Sequence, residues 1–174
     1  EYEEDFFDNA GLEAALRLLN WATVLAIGPG MGPVEKIKNA TLKLLQKAVE
    51  KKIPMVMDAD GLKAVKGNFI MLKGAPVIIT PHLGEFRLIT ENDSRKGSSL
   101  IDKIKSIHEF TKLHEITCIL KGPEDIICNG SRLKINITGT PAMTVGGTGD
   151  VLTGICSALL ARDIDPFTVA CCAA

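Results

Sequence analysis

At 174 residues, 46% of them hydrophobic and 24% charged, the chain suits one globular domain that buries about two thirds of its unfolded surface. A formal net charge of −1 supplies no basic face for nucleic acid, and no apolar run is long enough to span a membrane. A soluble, cytoplasmic protein is the expectation. In chain order, Glu1 opens an acidic segment, and Leu12, Ala15, Leu16 and Leu19 then recur at helical spacing. Thr23 to Ile27 is a short β-prone run that ends at Gly28-Pro29-Gly30. From Val34 to Lys51 the apolar residues Val34, Ile37, Leu44, Leu45 and Ala48 fall on one helical face with lysines opposite. Pro54-Met55-Val56-Met57 and Val77-Ile78-Ile79 read as buried strands, with an amphipathic helix from Ile101 to Leu113 and a further strand from Thr117 to Leu120. Asp125 to Cys128 and Leu133 to Ile137 predict a hairpin around Asn129-Gly130. An apolar helix follows Asp150, and Pro166 to Ala174 reads as a last helix whose apolar side is still running.

This alternation predicts a three-layer α/β/α architecture with a mostly parallel sheet, one domain over residues 1–174 that is partial and incomplete at both ends. Of the five cysteines, Cys118, Cys128 and Cys156 lie in apolar runs, while Cys171 and Cys172 are adjacent and poorly placed to bridge each other. All five are expected as buried, reduced thiols, since none has metal-ligand spacing or an obvious base beside it.

In such folds ligands sit beyond the carboxyl ends of the strands. Each of the first four predicted strands is followed there by a polar cluster: Gly28-Pro29-Gly30-Met31-Gly32, Asp58-Ala59-Asp60-Gly61-Leu62, Thr80-Pro81-His82-Leu83-Gly84-Glu85, and Lys121-Gly122-Pro123. Asp58 reads equally as the cap of a helix opening near Asp60 or as a ligand or metal contact. His82 and Glu85, at a strand end stiffened by Pro81, favour contact with substrate or with metal-bound water over an ordinary loop role. Lys121 either snorkels or touches a nucleotide. The run Thr144-Val145-Gly146-Gly147-Thr148-Gly149-Asp150 opens a helix with glycines that expose backbone N–H groups, an arrangement that binds phosphate without a cationic side chain. Asp150 would repel a bare phosphate. A carboxylate there suits a base directed at a substrate hydroxyl.

The order of these five motifs resembles the ADP-dependent NAD(P)H-hydrate dehydratase family of the ribokinase-like superfamily, and the resemblance covers nearly the whole chain. It implies metabolite repair by a lyase: hydrated NADH or NADPH is restored by phosphorylating the ring hydroxyl and eliminating phosphate, with ADP giving AMP. By this resemblance Gly32, His82 and Asp150 contact the hydrated cofactor, and Asp150 is catalytic. Lys121, Gly122, Gly146, Gly147, Thr148 and Gly149 fall on the nucleotide side, and Glu85 is linked through water to Mg2+. ADP or ATP is the implied phosphoryl donor, a homo-oligomer the implied assembly, and fusion to or pairing with an NAD(P)H-hydrate epimerase an implied partnership. Two other readings stand beside it: a ribokinase-like kinase for a vitamin precursor or sugar, and an inactive nucleotide-binding fragment. Family members carry a glycine-rich strand and helix ahead of these motifs and closing helices after the Asp150 helix, segments this chain does not show. Pro123 departs from the pattern and removes one N–H donor beside Lys121-Gly122.

Overall fold

Short, largely apolar segments form the parallel part of a six-stranded sheet whose spatial order is the chain order. The computed structural model describes residues 9–32, 34–91 and 99–174, so the acidic segment opened by Glu1 lies outside the described residues. Strands β1 (Leu25–Ile27), β2 (Met55–Met57), β3 (Val77–Ile79) and β4 (Thr117–Leu120) run parallel. β5 (Asp125–Cys128) and β6 (Leu133–Asn136) then add an antiparallel hairpin, whose turn Asn129 braces by accepting the N–H groups of Ser131 and Arg132. The helices are α1 (Asn9–Leu18), α2 (Val34–Glu50), α3 (Ala59–Ala64), α4 (Leu83–Thr90), α5 (Leu100–His114), α6 (Thr148–Leu160) and α7 (Pro166–Ala173).

Side-chain alternation along the strands divides the core in two. Met55, Met57, Val77, Ile79, Cys118 and Leu120 face one way and pack with buried residues of α1 to α5 such as Leu45, Leu62, Phe86 and Ile107. Val56, Ile78, Ile119 and Ile127 face the other way and are covered by Cys156 and Leu160 of α6 and by Val169 and Ala170 of α7. The α/β architecture with a mostly parallel sheet between two helical layers is therefore the predicted one. α2 buries Ile37, Ala40, Thr41, Leu44, Leu45 and Ala48, the stripe a 3.6-residue period requires.

Several boundaries differ from the sequence reading. β1 begins at Leu25 rather than Thr23, and β6 ends at Asn136 rather than Ile137. α5 starts at Leu100 because Ser99 caps it, accepting the N–H of Asp102 at 3.2 Å. Helix α4 and a 3-10 turn at Phe69–Leu72 were not predicted as elements. The expectation of five buried thiols holds for Cys118, Cys128 and Cys156 and fails for the last two: Cys171 is half-buried and Cys172 exposed, since only Val169 and Ala170 of α7 are fully buried.

Candidate functional site

Backbone contacts draw the strand-end loops together. Asp58 donates its N–H to the carbonyl of Ile27 at 3.1 Å, Thr80 to Met57 at 3.1 Å, and Lys121 to Pro81 at 2.9 Å. An isolated parallel bridge joins His82 to Lys121. The loop after β1 meets the start of α3 so closely that only glycines fit: Gly28 has φ +129°, and a Cβ there would lie 1.8 Å from the carbonyl oxygen of Asp58. Gly61 is the reciprocal case, since its Cβ would lie 2.8 Å from the oxygen of Ile27.

At this junction two aspartates take different partners. Ala59 between them adopts φ +46°, a left-handed conformation that costs a non-glycine residue energy and tends to occur where a site demands it. Asp60 accepts the N–H of Gly32 at 3.2 Å and the ammonium of Lys63 at 2.8 Å, a bond that raises the Lys63 pKa. Asp58 stands at the cap position of α3 but makes no side-chain cap bond. Its buried carboxylate instead accepts from Lys121 Nζ at 3.0 and 3.1 Å. The capping alternative for Asp58 and the snorkelling alternative for Lys121 are thus both replaced by an ion pair between the ends of β2 and β4.

Helix α6 begins beside this pair. Gly147, with φ +93°, is its N-cap and offers no side-chain cap, so no side chain takes the first-turn N–H groups an anion could use; that of Thr148 donates to the Val145 carbonyl at 3.5 Å. Gly149 sits where a Cβ would lie 3.2 Å from Asp58 Oδ2 and 3.4 Å from Lys121 Nζ. Asp150, in the first turn, is exposed. Behind it, Cys156 is held inert: burial pushes its thiol up to about 12, with the Asp58 charge adding to the effect.

His82 and Glu85 form a reciprocal cap on α4. His82 Nδ1 accepts the N–H groups of Gly84 and Glu85 at 3.0 and 3.3 Å, and Glu85 Oε2 accepts the N–H of His82 at 2.9 Å. Because Nδ1 accepts, an uncharged ring carries its proton on Nε2, which lies 3.5 Å from Glu85 Oε2 on a side chain 60% exposed. Gly122 donates its N–H to Asp125 at 3.0 Å, so in this conformation that donor is already used.

Sequence-predicted residues Lys121, His82 and Gly149 are therefore neighbours, Gly32 is tied in through Asp60, and Glu85 through His82. Gly146, Gly147 and Thr148 form the approach to α6, with Thr148 Oγ1 donating to the Val145 carbonyl at 3.0 Å. The sequence reading missed the roles of Asp58, Asp60 and Asp125 as partners of Lys121, Gly32 and Gly122. Gly122 and Asp125 lie close in sequence, whereas the other two pairs are joined only through the sheet. Among the described residues no group of three His, Cys, Asp or Glu is placed to hold a metal ion.

The fold, a sheet covered on both faces with helix α6 starting at the strand ends, superimposes with a TM-score of 0.75 on a ribokinase-like superfamily protein of Enterococcus faecalis, at 24% identity over 93% of this chain and 56% of that one. The chain belongs to the NAD(P)H-hydrate dehydratase family, whose profile matches residues 3–174. It is 40% identical over 160 residues to a bifunctional NAD(P)H-hydrate repair enzyme of Hyperthermus butylicus, covering 91% of this chain and 30% of that protein. It is 38% identical over 167 residues to an ADP-dependent (S)-NAD(P)H-hydrate dehydratase of Nitrosopumilus maritimus, covering 95% and 55% respectively. The fold superimposes with a TM-score of 0.73 on an ADP/ATP-dependent NAD(P)H-hydrate dehydratase of Bacillus subtilis co-crystallised with ATP/Mg2+ and soaked with CoA, at 28% identity over 94% of this chain and 58% of that one. The chain thus spans under a third of the Hyperthermus butylicus protein and little more than half of the others.

Proposed function

We propose that these residues carry the nucleotide-dependent dehydration of hydrated NADH or NADPH. The observation that supports it most is the meeting at Gly149 of three things: the open start of α6, the Lys121 ammonium and, one residue on, the exposed carboxylate of Asp150. An anion held there lies beside a base, which is what transfer of a phosphoryl group to a hydroxyl requires.

Asp150 takes the proton of the ring hydroxyl, whose oxygen bonds to the terminal phosphorus of ADP while AMP leaves with the electron pair of the broken P–O bond. The N–H groups of Gly147 to Gly149 and the Lys121 ammonium stabilise charge on the transferring group, an effect for which one lost donor typically costs about 10²- to 10³-fold in rate. Hydroxide leaves poorly and phosphate leaves well. The ring nitrogen lone pair expels phosphate, and loss of a proton from the adjacent ring carbon restores the double bond. Gly32 and the Nε2–H of His82 hold and orient the hydrated ring, and Lys121, Gly122 and the loop from Gly146 to Gly149 hold the nucleotide. For Gly122 to donate to it, the bond to Asp125 must open.

Mg2+ fits this donor set only as an ion carried by the nucleotide, since magnesium is commonly held by one or two carboxylates, phosphate oxygens and waters rather than by a protein cage. Glu85 would hold it through water. When bound it neutralises charge on the transferring phosphoryl group. Residues 1–174 are read as part of one such domain in a cytoplasmic homo-oligomeric enzyme, and the bifunctional relatives support fusion to or pairing with an epimerase.

The test supplies hydrated NADH with ADP, and separately with ATP, to the full-length polypeptide and follows the return of reduced nicotinamide absorbance. Asp150→Asn should lower kcat by about 10²- to 10⁴-fold while nucleotide binding persists. Phosphorylation of a sugar alcohol or pyrimidine with no recovery of NADH would overturn the dehydratase reading. Recovery unchanged in Asp150→Asn would remove Asp150 from the chemistry.

A further inference from the structure

We propose that Asp58 is a positioning residue that holds the Lys121 ammonium against the start of α6, so that ammonium and helix N–H groups act on one phosphoryl group. The proposal rests on the nucleotide-dependent reading of the site and adds a residue to it.

Asp58 is an expensive residue to bury, with a side chain only 4% exposed against 25% for Lys121, and a buried carboxylate persists only when it is paired. It occupies the cap position of α3 yet gives that helix no cap bond, so local helix stability does not account for an aspartate here. Its two oxygens lie 3.0 and 3.1 Å from one ammonium, 63 residues away in sequence and two strands away in the sheet. The main chain of Lys121 is fixed independently by its bond to Pro81 and its bridge to His82. What Asp58 adds is the direction of the long, otherwise mobile side chain.

That direction ends at Gly149. A methyl group there would stand 3.2 Å from Asp58 Oδ2 and 3.4 Å from Lys121 Nζ, so the pair fills the space directly beside the second residue of α6. An ammonium has three N–H donors. The carboxylate engages it at 3.0 and 3.1 Å, and both partners lie against Gly149, the ammonium being the more exposed of the two. Lysine binds phosphate as a point charge, and such a charge helps only if it stands where the anion is. A lysine released from Asp58 would spend its time in water along many rotamers, and the affinity it contributes would fall accordingly.

The test measures ADP dissociation constants by calorimetry for wild type, Asp58→Asn, Lys121→Gln and the double variant, all as full-length polypeptide. Asp58→Asn should weaken ADP binding about 10-fold, the scale of a hydrogen bond to a charged group, and should add nothing in the Lys121→Gln background, because Asp58 acts through Lys121. Asn is the same size as Asp, so that variant should fold. Lys121→Gln strands a buried carboxylate, so steady-state kinetics of Asp58→Asn decide independently of it: KM for ADP should rise while KM for the hydrated cofactor stays within a factor of two. A folded Asp58→Asn with wild-type ADP affinity, or an equal loss in both lysine backgrounds, or a parallel rise in both KM values overturns the positioning role and leaves the functional reading intact. Wild-type protein that binds neither ADP nor ATP overturns the functional reading itself, and this proposal with it.

Discussion

Replacing Gly28 by alanine should do far more damage than replacing Gly30, two residues away in the same loop. Both glycines have positive φ, +129° and +69°, so both substitutions carry a backbone cost. At Gly30 the added Cβ meets nothing within 4 Å, and the left-handed conformation alone costs about 1 kcal/mol. At Gly28 the Cβ would fall 1.8 Å from the Asp58 carbonyl oxygen and 3.0 Å from the Gly61 nitrogen. A carbon and an oxygen need about 3.3 Å, so the loop and the start of α3 would have to separate by about 1.5 Å. The oxygen cannot simply turn away, because it accepts the Gly61 N–H at 3.1 Å while the Asp58 N–H is held by Ile27. Backbone strain of about 1–3 kcal/mol and overpacking of about 1–3 kcal/mol place the total near 2–6 kcal/mol. The shift also falls on Asp58, so the Lys121 ammonium should move with it. Urea unfolding of wild type, Gly28→Ala and Gly30→Ala gives the stabilities, and ADP titration of the same proteins gives the effect on the site. If Gly28→Ala were no less stable than Gly30→Ala, and bound ADP as tightly, the close approach of these two loops would be wrong.

Two further outcomes follow from the geometry. His82→Ala removes the acceptor for the N–H groups of Gly84 and Glu85 and should cost about 0.5–2 kcal/mol of stability; His82→Asn, a good N-cap, should restore melting temperature but not the KM for the hydrated cofactor, which separates the capping role from the Nε2–H role. Asp165 accepts from Arg132 at 2.7 Å and caps α7 through the Thr168 N–H at 3.0 Å; the Arg132 hydrogen bonds, opposed by partial desolvation and helped by Thr168, lower its pKa to about 2. A depressed carboxylate pKa stabilises the fold above the unfolded value of about 3.9, and that stability is lost as pH falls through the folded value. Because the pair is half exposed, Asp165→Asn should cost no more than about 1 kcal/mol at pH 7, and the difference from wild type should vanish between about pH 4 and pH 2 in acid melts. Asp165→Ala should stay destabilised throughout, since it loses the cap at every pH.

How legible these features were depends on how local their causes are. Strands β2, β3 and β4 are short apolar runs buried on both faces, and that burial is written residue by residue in Met55-Val56-Met57 and Val77-Ile78-Ile79. Helix α2 was legible for the same reason at a different period. Helix α4 was passed over because it buries only Glu85, Phe86 and Ile89 and starts from a histidine, although Glu85 three residues after His82 is the spacing of a capping box. The Asp58 to Lys121 pair could not be read from either residue's neighbourhood. Its cause is the sheet, which places the ends of β2 and β4 on either side of β3, and a chain read linearly contains no signal for that distance. The glycines were legible as turns, but the reason Gly28 must be glycine lies in Asp58, 30 residues later.

The position of Asp150 follows from the handedness of the connections before it. β1 to β4 lie side by side in chain order and run parallel, and right-handed crossovers between such strands put every connecting helix on one face. α2 to α5 accordingly pack with one core cluster, and among the described residues Val56, Ile78 and Ile119 on the other face are covered mainly by α6 and α7, with Val24 packed beside them. Covering that face falls to a segment that must start again at the strand ends where Asp58 and Lys121 lie. The β5–β6 hairpin permits this. β5 runs away from that edge and β6 returns to it, so the chain leaves β6 on the same side of the sheet as the site, and residues 137–147 carry it across to the start of α6. From there α6 packs over β1 and β2, and α7 over β3, β4 and β5. One hairpin reversal more or fewer would deliver the far end of α6 to the Asp58–Lys121 pair, presenting carbonyls and a negative dipole where the proposed function needs N–H groups. The same hydrophobic requirement that closes the second face of the sheet therefore brings Gly149, in the first turn of α6, to the Asp58–Lys121 pair, with Asp150 one residue further on.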